Sequence, residues 1–158
     1  MADDPELVAL VREIVDGNHY LVLGTADPTG IPWTSPVWYA HAGYREFFWV
    51  SDPVTRHSRN IAARPEVSMV IFDSSLPPGN AGALYVSGTA EVLIGPDADR
   101  SIEIYARRSR DQGLREWTIG DVEHPARHRL YRAVASEHSV LEPGGVDVRI
   151  PISQESLG

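Results

Sequence analysis

The stretch FFWVSDPVTRHSRNIAARP, residues 47–65, decides how the chain is read. Phe47 to Ser51 is an apolar, aromatic run of strand formers, the pattern of a buried strand. Asp52 and Pro53 then predict a helix start, since an aspartate can accept from free backbone N–H groups and proline fits the first helical position. Thr55, Arg56, His57, Ser58 and Arg59 fill the first turns. Arg64-Pro65 ends the helix, because the residue before a proline is pushed out of the helical region. A strand feeding a helix N-terminus dressed with hydroxyls and cations can hold an anion, since the N–H groups point outward and the dipole favours negative charge. A solvated helix face whose arginines pair with acids fits the same residues. The segment alone leaves both readings open.

Working outward, Pro5 to Asp16 predicts an amphipathic helix capped by Asp4, with Leu7, Leu10, Val11, Ile14 and Val15 at helical spacing. His19 to Ala26, Ile31 to His41 and Glu46 to Ser51 read as three strands of a meander joined by turns at Asp27–Gly30 and Ala42-Gly43. After the central helix, Val67 to Phe72 and Ala83 to Ile94 are further strands. Gly88 lies inside the second of these and predicts a bulge or bend. Pro96 to Arg110 predicts a helix, and Asp111 to Arg127 is a polar stretch of weak periodicity around Trp117. His128 to Ala135, then Ser139 to Leu141, read as a bent or split last strand, followed by a tail without strong pattern.

The strands do not alternate with helices, which argues against a doubly wound parallel sheet. A meander, a long bent strand and few helices favour a mainly β fold: a six- to seven-stranded antiparallel barrel with flanking helices. One domain is expected over residues 1–158, with a core at 5–141 and a tail at 142–158, as this length suits. Several strands are apolar on both faces, which fits a barrel whose outer face is covered by a second subunit.

The formal charge of −8 argues against general nucleic-acid binding, which needs basic surfaces. All 14 cationic side chains are arginine, so lysine chemistry is excluded. There is no cysteine, hence no disulfide and no thiolate site. No apolar run is long enough for a membrane helix, and the acidic N-terminus does not read as a signal peptide. A cytoplasmic protein without membrane partners is the expectation. Arg56, Arg59 and Arg64 form one cationic group, and Arg107, Arg108 and Arg110 another.

In this order, the helix and HYLVLGTAD strand, the IPWTSPVWY strand, FFWVSDPVTRHSRNIAARPEVSMVIF, the VSGTAEV strand and the closing RLYRA strand resemble the pyridoxamine 5'-phosphate oxidase-like family of FMN-binding split barrels. The likeness runs from about Leu7 to Leu141. Thr55-Arg56-His57 stands where that family has Ser-Arg-Lys, and Asn60-Ile61 where it has Asn-Leu. The resemblance implies a homodimeric oxidoreductase that binds FMN at the subunit interface and acts on a small-molecule substrate. Related branches use a deazaflavin coenzyme, and some bind haem or biliverdin, so a non-catalytic flavin- or tetrapyrrole-binding module is the other reading. It implies that Arg56 and His57 hold the FMN phosphate with hydroxyl support from Thr55. Thr34, Ser35, Pro36 and Val37, with Trp49, Val50 and Ser51, would present backbone and hydroxyl groups to the flavin. No catalytic side chain beyond this site is implied.

Three positions depart from the family pattern. Ser35 stands where the oxidase places a cation, His57 where it has lysine, and Ala83 where it often has glutamine. The phosphate is left with fewer permanent charges. Among other residues, His124 and His128 have metal-ligand spacing, but Pro125 between them argues against a shared helix and no metal site is expected. Trp33, Trp38 and Trp49 suit either stacking on a planar ligand or core packing.

Overall fold

The computed structural model describes residues 3–144 and 147–158; the first two residues of the acidic N-terminus and residues 145–146 of the tail lie outside the described residues. Helix α1 (Pro5–Gly17) starts as its sequence dictates, with the Asp4 side chain accepting from the Glu6 N–H at 2.9 Å. Val11, Ile14 and Val15 form its buried face. The remaining elements are β1 (Tyr20–Ala26), β2 (Pro32–Trp38), β3 (Ala40–Ala42), β4 (Glu46–Ser51), α2 (Arg56–Ala63), β5 (Glu66–Phe72), β6 (Ala83–Leu93), α3 (Pro96–Asp111), β7 (Arg129–Leu141), β8 (Arg149–Ile152) and α4 (Gln154–Leu157).

The strands form one antiparallel sheet in the order β2-β1-β5-β6-β7-β4-β3, with β8 added to β7. The two edge strands, β2 and β3, are joined by a single residue, Tyr39. Laid flat, seven strands would hold those edges about 29 Å apart, whereas the two backbone steps from Trp38 to Ala40 span at most about 7 Å. The sheet must therefore curl round on itself, which is the split barrel. The strand expected over Ile31–His41 is thus two strands. Its break falls where Tyr39 is drawn fully inside, its hydroxyl donating to the Val15 carbonyl at 2.5 Å.

Inward-facing Leu21, Leu23, Phe47, Met69, Ile71, Leu84 and Val86 fill the barrel. The alternating residue of β4, Phe48, faces out and is buried against Ile102 and Tyr105 of α3. The two-sided apolar character of β4 is therefore satisfied within the chain, by a helix rather than a second subunit.

The bulge expected at Gly88 is present. The register shifts between Ser87 and Gly88, with Ser136 of β7 as the extra residue. A side chain at Gly88 would put its Cβ 2.3 Å from the Val134 carbonyl oxygen, so the strands approach closer there than any other residue allows. Of the two readings of the last strand, bent or split, the structure shows the bent one: a single strand with Ser136 absorbing the bend. The tail is also more ordered than its pattern suggested. β8 pairs with the second half of β7, and Ile152 and Leu157 are buried in the barrel cluster.

Candidate functional site

The end of β4 meets the start of α2 through a tight turn. Asp52 Oδ1 accepts from the Val54 N–H at 3.0 Å, and the Thr55 N–H bonds the Asp52 carbonyl at 3.1 Å. Asp52 therefore closes a turn instead of capping the helix, and the helix begins at Arg56 with Thr55 in the cap position. The backbone bond to Val54, then the ion pair with Arg127, hold the Asp52 carboxyl below its ordinary range.

Among the described residues no side chain caps the N–H groups of α2, and its first turn carries no acid. Thr55 Oγ1 is turned away, 2.9 Å from the Asp52 carbonyl oxygen and 2.8 Å from Ser58 Oγ. The helix is fixed by its other side. Asn60 Nδ2 donates to Thr25 Oγ1 of β1 at 3.0 Å, and Ile61 is buried in the barrel cluster.

His57 points inward. Its Nε2 lies 2.8 Å from Ser51 Oγ and 3.3 Å from Thr55 Oγ1. The ring is only 9% exposed, and burial pushes its pKa below the usual value of 6.5. The imidazole is a neutral hydrogen-bonding group at neutral pH, not a standing cation.

Arg56 is the opposite case. Its guanidinium is exposed and lies 4.4 Å over the Trp33 ring of β2. Among the described residues no carboxylate pairs with it. The second arginine group is differently engaged. Arg108 donates to the Asn18 carbonyl at 2.7 Å, and Arg110 pairs with Glu103 and Glu116.

The structure thus gathers Ser51, Thr55, Arg56 and His57 at one corner and brings β2 to them through Trp33. Ser35 of β2 accepts from Trp33 Nε1 at 3.1 Å. Thr34 and Pro36 are exposed, and as part of an edge strand β2 keeps unpaired backbone N–H and C=O groups along one side. Val37 and Trp49 turn their side chains into the barrel, and Val50 faces α3, so these three offer only backbone to a ligand. Trp49 is fully buried and stacks on Tyr131, with ring centroids 5.9 Å apart. Trp117 packs edge-on against Tyr105, centroids 5.4 Å apart. Sequence reading placed Ser58 among the hydroxyls of this corner but not Trp33 or Thr25, which reach it from β2 and β1 through the curl of the sheet.

The uncapped start of α2, the Ser51 and Ser35 hydroxyls and Arg56, which has no carboxylate partner among the described residues, form a donor set that suits a phosphate. The comparisons with known proteins agree with the fold that carries it. The structure is similar to a haem-binding protein from Mycobacterium smegmatis, with a TM-score of 0.71 at 19% identity over 99% of this chain and 61% of that one. It is also similar to a Clostridium acetobutylicum protein related to general stress protein 26 of the pyridoxinephosphate oxidase family, with a TM-score of 0.69 at 15% identity over 99% and 100%. A third likeness is to an F420 reductase, with a TM-score of 0.60 at 20% identity over 81% and 94%. No curated protein sequence matches the chain. The sequence profile described as pyridoxamine 5'-phosphate oxidase matches residues 7–133, from the first turn of α1 into the middle of β7. With that match spanning the barrel and the corner at Arg56, the chain belongs to the pyridoxamine 5'-phosphate oxidase family.

Proposed function

We propose that the protein is a flavin-dependent oxidoreductase that binds FMN with its phosphate at the N-terminus of α2. The observation that carries this reading is the uncapped first turn of α2 beside Arg56, a cation left without a carboxylate partner in a protein of net charge −8. Arg56 supplies permanent charge. Ser51 and Ser35 supply hydroxyl donors, His57 orients Ser51 as a neutral partner, and Thr55, whose hydroxyl is engaged by the Asp52 carbonyl and Ser58, shapes the turn instead of donating to the phosphate. The exposed edge of β2 offers N–H and C=O groups to the polar rim of the ring system. When bound, the flavin supplies the electron transfer to a small organic substrate, and the chain binds and orients it. The site lies on an exposed edge, which fits a homodimer whose second copy completes the cleft. A cytoplasmic location goes with this reading.

F420 is a deazaflavin, and the likeness to an F420 reductase makes that coenzyme the alternative within the same chemistry. The likeness to a haem-binding protein supports a second reading, a tetrapyrrole-binding module without turnover. Titration of the purified protein with FMN, followed by visible absorbance, tests the first reading. Arg56→Ala is expected to weaken FMN while leaving riboflavin, which lacks the phosphate, nearly unchanged. Equal losses for both would contradict the phosphate assignment. A Soret band on adding haem, with no response to either flavin, would favour the tetrapyrrole reading.

A further inference from the structure

Trp33 is a large aromatic residue left 40% exposed on an edge strand, and it is held in place rather than loose. Its indole N–H donates to Ser35 Oγ at 3.1 Å, two residues along the same strand. The Arg56 guanidinium rests on its ring at 4.4 Å. We propose that Trp33 is a positioning residue, a platform that orders the Arg56 guanidinium for the phosphate of the bound flavin. The proposal rests on the flavin-phosphate reading given above.

Stacking occupies the face of the guanidinium and leaves its N–H edge free, and that edge is the part which grips phosphate oxygens in pairs. An exposed arginine without such a platform loses rotamer freedom when it binds an anion, and the stacked one has already lost much of it. A carboxylate partner would also order the arginine, but would compete with the phosphate; an indole orders it without bringing negative charge. Ser35 joins the same arrangement. Having accepted from Trp33, its hydroxyl still has its own hydrogen to donate. The chain thereby compensates for the lack of permanent charge at His57, which is neutral, and at Ser35.

The test compares FMN with riboflavin, and the deazaflavin coenzyme with its phosphate-free core, by titration calorimetry. The proteins are the full chain and its Trp33→Leu, Trp33→Phe, Arg56→Ala and doubly substituted forms, each checked for folding by circular dichroism. Trp33→Leu is expected to weaken the phosphorylated ligands about two- to five-fold, the range of an exposed cation–π contact, and to leave the phosphate-free ones unchanged. Trp33→Phe should recover most of the loss, because it keeps an aromatic face. In the Arg56→Ala background, Trp33→Leu should add nothing. Equal weakening of phosphorylated and phosphate-free ligands would overturn the proposal by placing the indole against the ring system. So would an unchanged Trp33→Leu in a protein where Arg56→Ala weakens FMN. If Arg56→Ala does not distinguish FMN from riboflavin, or neither ligand binds, the underlying reading fails and the platform with it.

Discussion

His57 Nε2 sits 2.8 Å from Ser51 Oγ, joining the first turn of α2 to the last residue of β4 through two side chains that are both more than nine-tenths buried. Removing the imidazole leaves the Ser51 hydroxyl buried without its partner, a loss of about 1–3 kcal/mol for an unsatisfied group. His57→Leu is therefore expected to lower stability by that amount in urea unfolding, while His57→Gln, whose amide can meet the hydroxyl, should recover a good part of it. Equal stability of the two variants would show that the hydrogen bond contributes nothing.

Three histidines make stability depend on pH in one direction. Burial pushes His57 below its ordinary 6.5; burial likewise lowers His41 against the raising effect of Asp16, and His138 against that of the Tyr44 carbonyl. Each binds fewer protons folded than unfolded in the window beneath 6.5, so unfolding takes up protons there. Stability is fully present above that value and falls as the pH drops through it. The carboxylates held low, among them Asp27, Asp52 and Asp73, start from 3.8 and respond only in more acid solution. The melting temperature should be flat between about pH 7 and 9 and decline as the pH falls below about 6.5, the side of the ordinary value to which these directions point. His57→Gln should reduce the slope. A melting temperature that rises on acidification would contradict the assignment.

What the sequence made legible was local. β4 is a continuous apolar run and α1 has a clear apolar period, and Gly88 marked its bulge because glycine inside a strand has few other reasons to be there. What escaped it depended on partners distant in the chain. Asp52-Pro53 carries the same local signal for a turn as for a helix start, and Thr55 took the cap position instead. β8 is four residues long and contains Pro151, so its strand character comes from β7. Arg56 and Trp33 were each visible as candidates, but their contact exists only because the curled sheet brings β2 to α2.

Two glycines on strands that flank β5, Gly24 of β1 and Gly88 of β6, separate room from geometry. A Cβ at Gly88 would meet backbone, the Val134 carbonyl oxygen at 2.3 Å, whereas one at Gly24 would meet the Ser68 hydroxyl at 2.4 Å. The hydroxyl can rotate away and the carbonyl cannot. Gly88→Ala should cost about 2–3 kcal/mol or more as overpacking against a fixed backbone, and Gly24→Ala under about 1 kcal/mol. Chemical denaturation of the two variants measures the difference, and similar losses would mean the β6–β7 bulge can slide.

The C-terminal segment is held at both of its ends. Asp3 accepts from the Ser153 N–H and from its hydroxyl, each at 2.7 Å, and Arg12 of α1 donates to the Leu157 carbonyl at 3.0 Å. Leu157 is 1% exposed in the same cluster as Val11, Val15 and Ile152. The segment is thus part of the barrel's core, although its sequence has little pattern. Leu157→Ala should lower stability by about 2–5 kcal/mol, the range for emptying a buried leucine site, whereas the exposed neighbour Glu155→Ala should stay within about 0.5 kcal/mol. Removing residues 149–158 should do more than either, because it also strips β8 from β7 and bares the backbone of a long strand to pairing with another chain. Urea unfolding orders the three variants, and sedimentation of the truncated chain detects association. A truncated chain as stable as the full one would show that β7 does not depend on β8.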